Sequence, residues 1–61
     1  MTNEKIETII ANAKEILDQE TLEEKDILLN KLNKALVNKI DTELEEMLND
    51  RDCLVDFILS L

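Results

Sequence analysis

The side chains able to do chemistry here are few in kind: one thiol at Cys53, fifteen carboxylates, six lysines and one arginine, with no histidine. A nucleophilic cysteine needs a base, usually histidine, or a cationic setting that holds the thiolate. The chain has no histidine. Asp50, Asp52 and Asp56 instead oppose a second negative charge beside it, so Cys53 is expected to be a small packing residue. A zinc site of the usual Cys/His kind is excluded by one cysteine and no histidine.

Carboxylates are plentiful enough to ask what they could hold. If the last part of the chain is one helix, Glu45, Asp52 and Asp56 share a face with Asn49 between them, and such a face offers oxygen ligands to a hard cation. A calcium loop of the EF-hand type needs a glycine and a fixed ligand order, and the sequence contains no glycine. A solvated acidic face is the expected outcome, with no metal. Acid–base catalysis by two carboxylates also requires a pocket, for which 61 residues leave little volume. A phosphate-cradling glycine loop is impossible, and one Phe with no Trp or Tyr gives no stacking platform for single-stranded nucleic acid. The chain is therefore read as a non-enzyme without cofactor or metal.

The net charge is −8, which favours solubility and disfavours nonspecific binding to DNA or to acidic membranes. The charge is uneven. Residues 1–26 carry eight acids and three lysines, residues 41–61 carry seven acids and Arg51, and residues 27–40 carry Lys31, Lys34 and Lys39 with no acid at all. Lys31 and Lys34 thus form a possible basic face, and Glu45, Asp52 and Asp56 a possible acidic recognition face. No run of eighteen or more apolar residues exists, so no membrane span is expected. The N-terminal residues lack the basic-then-apolar pattern of a signal peptide. With a lone cysteine, a reducing, cytoplasmic setting is the expectation.

The elements that would position these groups are helices. Leu, Ile, Glu and Lys dominate, and glycine and proline are both absent, a composition typical of helical bundles. Ile6, Ile9, Ile10, Ala13, Ile16 and Leu17 follow the spacing of one helical face, predicting a helix over about 3–18 with Thr2 or Asn3 as its cap. Thr21-Leu22-Glu23-Glu24 has the form of a capping box, in which the Thr hydroxyl and the Glu carboxylate each satisfy the other's backbone amide. It predicts a second helix over about 22–40, whose stripe is Leu22, Leu28, Leu29, Leu32, Ala35, Leu36 and Ile40. Lys31, Lys34 and Asn38 lie opposite. Ile27 and Val37 lie off the stripe, and a second contact for at least one of them is expected. Thr42 and Glu45 repeat the capping-box spacing and open a third helix, over about 42–60, with Leu44, Met47, Leu48, Leu54, Val55, Ile58 and Leu61 on its stripe. A single helix from 22 to 60 is the alternative. Asn49-Asp50-Arg51-Asp52 is a weak spot where Asn49 could cap a short last helix, but continuity is preferred.

The expected fold is all-α: an antiparallel bundle of two or three amphipathic helices completed by dimerisation. A chain this short buries only about 60% of the surface its unfolded form exposes, and no disulfide or metal can supplement the core. The run from Cys53 to Leu61 is apolar around most of a helix, so Leu54, Val55, Phe57, Ile58 and Leu61 are assigned to a self-association or partner interface. The expected function is a small acidic protein–protein interaction module, an inhibitor or regulator of a partner protein, with imitation of nucleic-acid charge as a sharper variant. Two alternatives are a structural oligomerisation unit and an RNA-binding helical-hairpin dimer that uses Lys31 and Lys34.

Overall fold

The computed structural model describes residues 2–61, with the side chain of Thr2 excepted. Its order is α1 (Thr2–Ile16), α2 (Leu22–Leu36), α3 (Asp41–Asn49) and α4 (Arg51–Leu59). The all-helical character expected from composition is present, in four helices rather than two or three.

The helix starts explain the difference. Thr21 stands extended, and its hydroxyl accepts the Glu24 amide at 3.2 Å, which satisfies one of the donors a helix start leaves unpaired. Among the described residues the reciprocal half of the capping box is not made, and the Glu24 carboxyl sits against Glu20 instead. Thr42 does not cap α3. The extended residue is Ile40, without a side-chain cap, because Asp41 already lies in the first turn, where its carboxylate pairs with Lys5 of α1 at 2.8 Å. Asp50, not Asn49, opens α4. Its backbone leaves the helical region, and its carboxylate accepts the amides of Asp52 and Cys53 at 3.0 and 3.4 Å. The expected continuous third helix is therefore broken at a single residue. For α1, a cap from Thr2 falls on a side chain outside the described residues, and Asn3 lies inside the helix.

The helix ends are made without glycine. Among the described residues none has positive φ, so the left-handed stop that glycine usually supplies is not used. Three of the four exits tighten instead into i→i+3 bonds, while α3 ends at extended Asp50, whose N–H donates to Glu46 C=O at 2.9 Å. Glu20 N–H donates to Leu17 C=O, Lys39 N–H to Leu36 C=O, and Leu61 N–H to Ile58 C=O, at 3.0 to 3.2 Å. Helix α2 stops at Leu36 for this reason, four residues short of expectation.

Helix α1 is the hub, packing against α2, α3 and α4. Its stripe of Ile6, Ile9, Ala13 and Leu17 meets Leu32 and Leu36 of α2, Leu44 and Met47 of α3, and Leu54 and Ile58 of α4 in one core. Lys5 pairs with the start of α3, while Asn12 and Ile16 lie beside Met47 and Leu48 at its end. Helices α1 and α3 therefore run parallel, with α2 returning between them in sequence. The sequence pattern had suggested α2 as the helix packed on two sides. Ile27 and Val37 are instead 54% and 61% exposed, so neither finds its second contact within the chain. The accessible surface of 4421 Å² is close to the ~4,100 Å² expected of a folded monomer of this mass.

Candidate functional site

The C-terminal run is divided by the core. Leu54 is 1% exposed and Ile58 5%, and both are spent on intrachain packing. Val55, Phe57 and Leu61 are half-buried, while Leu59, which the stripe did not include, is 78% exposed. Phe57 has a second tie: the Lys39 ammonium lies 5.1 Å from its ring centroid, a distance at which the ring's negative face attracts a cation. Lys39 also pairs with Glu43 at 3.4 Å. The loop between α2 and α3 is thereby fastened to α4. Cys53 is half-buried against the core.

The acidic face does not assemble as the sequence suggested. The break at Asp50 puts Glu45 on α3 and Asp52 and Asp56 on α4, so no single helix presents all three. Glu45 also lies 4.0 Å from Lys5, within the cluster that joins α1 to α3. The stronger member of that cluster, Asp41, raises the Lys5 pKa chiefly through its hydrogen bond; desolvation opposes this, and the charges of Asp41 and Glu45 add to the rise. Among the described residues no group of three or more Cys, Asp or Glu side chains is gathered closely enough to hold a metal ion. Asp52 and Asp56 are solvated. A separate acidic contact was not foreseen. Glu20 and Glu24 face each other across the start of α2, and the Glu24 carboxylate raises the Glu20 pKa, first by favouring a proton it can accept as a hydrogen bond and then by repulsion. Its only sequence signal was the four-residue spacing across a helix start.

Lys31 and Lys34 are exposed on the outer side of α2. Among the described residues neither forms an ion pair with an acid of another helix. Around them stand exposed Ile27, Asn30, Val37 and Asn38, and Asn38 donates its side-chain amide back to the Lys34 carbonyl at 3.1 Å. This surface remains open because α2 packs chiefly on α1.

One hollow among the described residues is small. About 120 Å³ lies between α1, α3 and α4, lined by Asn12, Ile16, Met47, Leu48, Arg51 and Leu54. Small-molecule sites are typically about 300–1,000 Å³. No described helix is long and apolar enough to cross a membrane. No protein-family model, curated protein or solved structure matches this chain.

Proposed function

We propose that the chain is a non-enzymatic protein–protein interaction module, an inhibitor or regulator that acts by covering part of a partner's surface. The observation that carries this reading is what remains outside a closed core. Leu22, Ile27, Val37, Ile40 and Leu59 are each more than half exposed, on a fold that already buries ten apolar side chains and leaves no buried polar atom unpaired among the described residues. Single exposed apolar residues are ordinary on any surface. Five on so small a domain leave apolar area that a partner could cover.

Self-association through the C-terminal helix is the finer form of this proposal. With Leu54 and Ile58 committed to the core, the apolar surface left there is Leu59 with parts of Val55, Phe57 and Leu61. Exposed carboxylates on α1, α3 and α4 add an array able to stand in for phosphate toward a basic partner, which gives salt-sensitive binding.

The test is affinity capture with the wild-type protein beside Leu22→Asp and Leu59→Asp, both at exposed sites. The reading expects a protein retained by the wild type and lost with at least one variant. Retention of the same proteins by all three, or of none by any, would overturn it. A second reading, RNA binding, is favoured by the exposed and unpaired Lys31 and Lys34. Filter binding of RNA that survives the Lys31→Glu/Lys34→Glu change eliminates it.

A further inference from the structure

We infer that the outer face of the α1–α2 hairpin is a self-recognition surface, on which a second copy of this chain seats its α1 against α2 and its α2 against α1. The inference shares Ile27, Lys31 and Lys34 with the readings above but does not depend on them, because it names the occupant as a second copy of this chain.

The argument begins with the register of the hairpin. Helices α1 and α2 are each fifteen residues long, or roughly 22 Å. They are joined by residues 17–21, a loop short enough to make them antiparallel neighbours. Counting outward from the middle of that loop, Ala11 stands level with Ile27, Glu7 with Lys31 and Glu4 with Lys34. All six residues are exposed. None of the four charged ones forms an ion pair within the chain among the described residues.

A twofold axis parallel to the hairpin keeps every level unchanged when it generates a second copy, and it lays α1 of one molecule along α2 of the other. Glu4 then meets Lys34 of the second copy, and Glu7 meets Lys31 of the second copy. Ile27, 54% exposed in the single chain, falls opposite Ala11, a side chain small enough to receive it. The axis repeats each contact, so two apolar seats and four ion pairs form together. Such an isologous contact closes at the dimer and leaves no open end.

Charge complementarity selects the occupant. The chain's net charge is −8, yet residues 27–40 contain no acid. The acid-free face of α2 lies beside a helix whose own face carries carboxylates at matching levels. Like charges placed opposite each other would oppose any other pairing of these faces, such as α2 on α2.

A charge-swap experiment tests this, with solution mass from sedimentation equilibrium as readout. The wild type is expected to dimerise. Lys31→Glu/Lys34→Glu and Glu4→Lys/Glu7→Lys are each expected to weaken the dimer by about tenfold or more, as the loss of several close pairs implies. An equimolar mixture of the two should restore it, since each reversed face then meets its complement. A control, Glu46→Lys/Asp56→Lys, makes the same change in net charge as the second variant but lies on α3 and α4 and leaves the face intact, so by itself it should dimerise like the wild type. Ala11→Arg, at an exposed helical site, should block the seat of Ile27 while circular dichroism shows the fold retained. A wild type that stays monomeric at about 0.5 mM, weaker than a millimolar-range dissociation constant would allow to matter, overturns the proposal. So does a dimer unaffected by all the variants, or one weakened as much by the control as by the two face variants. Binding of RNA or of another acidic protein to Lys31 and Lys34 without a dimer gives that face a different occupant and overturns it too.

Discussion

Truncating Leu54 to Ala separates the two roles open to the C-terminal run. Leu54 is 1% exposed and belongs to the ten-residue core, so its removal loses buried surface and leaves a cavity between α4 and the hub helix. Changes of this kind cost about 2.7–5 kcal/mol. Against this stands the whole stability of a 61-residue domain, roughly 3–9 kcal/mol at 0.05–0.15 kcal/mol per residue. Leu54→Ala should therefore consume most of the folding free energy. The midpoint of thermal unfolding should fall by more than about 10 °C, since each 1 kcal/mol moves it about 4–8 °C in a domain this small. Leu59→Ala, at a site 78% exposed, should change stability by no more than about 0.5 kcal/mol. Thermal and urea unfolding followed by far-UV circular dichroism, at two well-separated protein concentrations, measures both. Equal shifts for the two variants would refute the division of the run into core and surface. A Leu54→Ala deficit that shrinks as concentration rises would refute it as well, because that dependence belongs to a residue buried between molecules.

Two further expectations concern the caps. Asp50→Ala removes the carboxylate that accepts the Asp52 and Cys53 amides and should cost about 1 kcal/mol. Asp50→Asn keeps an acceptor oxygen and should restore most of that loss, so equal destabilisation by Ala and Asn in urea melts would contradict the capping role. Glu20 has its pKa raised by Glu24, through a shared hydrogen bond and then through repulsion. A carboxyl whose folded pKa lies above its unfolded value binds its proton more tightly when folded. Its stabilising effect is thus present at low pH and fades as pH rises through the folded pKa. Glu20→Gln should accordingly be at least as stable as the wild type at pH 7, and its relative advantage should disappear as pH falls below the ordinary glutamate range near 4.3. An advantage that instead grows on acidification would reverse the sign and discard the shared proton.

The periodic parts of this fold were legible because a single helix face dictates them. The stripe from Ile6 to Leu17 and the Thr21 start both stand in the structure, the stripe as the core face of α1 and the threonine as a working cap. The break at Asp50 was harder to read. Leu44, Met47 and Leu48 continue in phase with Leu54 and Ile58 closely enough that one extended residue barely disturbs the 3.6-residue pattern. The polar run around it marked the place without deciding between a solvated turn of helix and a stop. The identity of the hub was not legible at all. Both α1 and α2 show a wide apolar stripe, and only three-dimensional packing decides that α1 meets every other helix while Ile27 and Val37 stay in water. For the same reason the acidic face, argued from one continuous helix, divided between α3 and α4. The basic face, argued within one uninterrupted segment, remained whole.

The right-handed helix exits have a consequence for how this sequence can vary. Where a chain reverses through a left-handed residue, glycine is nearly obligatory, and drift at that position is arrested by backbone sterics. Here no described residue occupies that region, so the connections make no demand that most L-amino acids cannot meet. Constraint falls instead on side-chain volume, at the ten positions of the core, and on the few oxygens that cap helix starts. Such a backbone tolerates wide substitution in its loops. Its family resemblance would be carried by the spacing of aliphatic residues more than by any fixed motif.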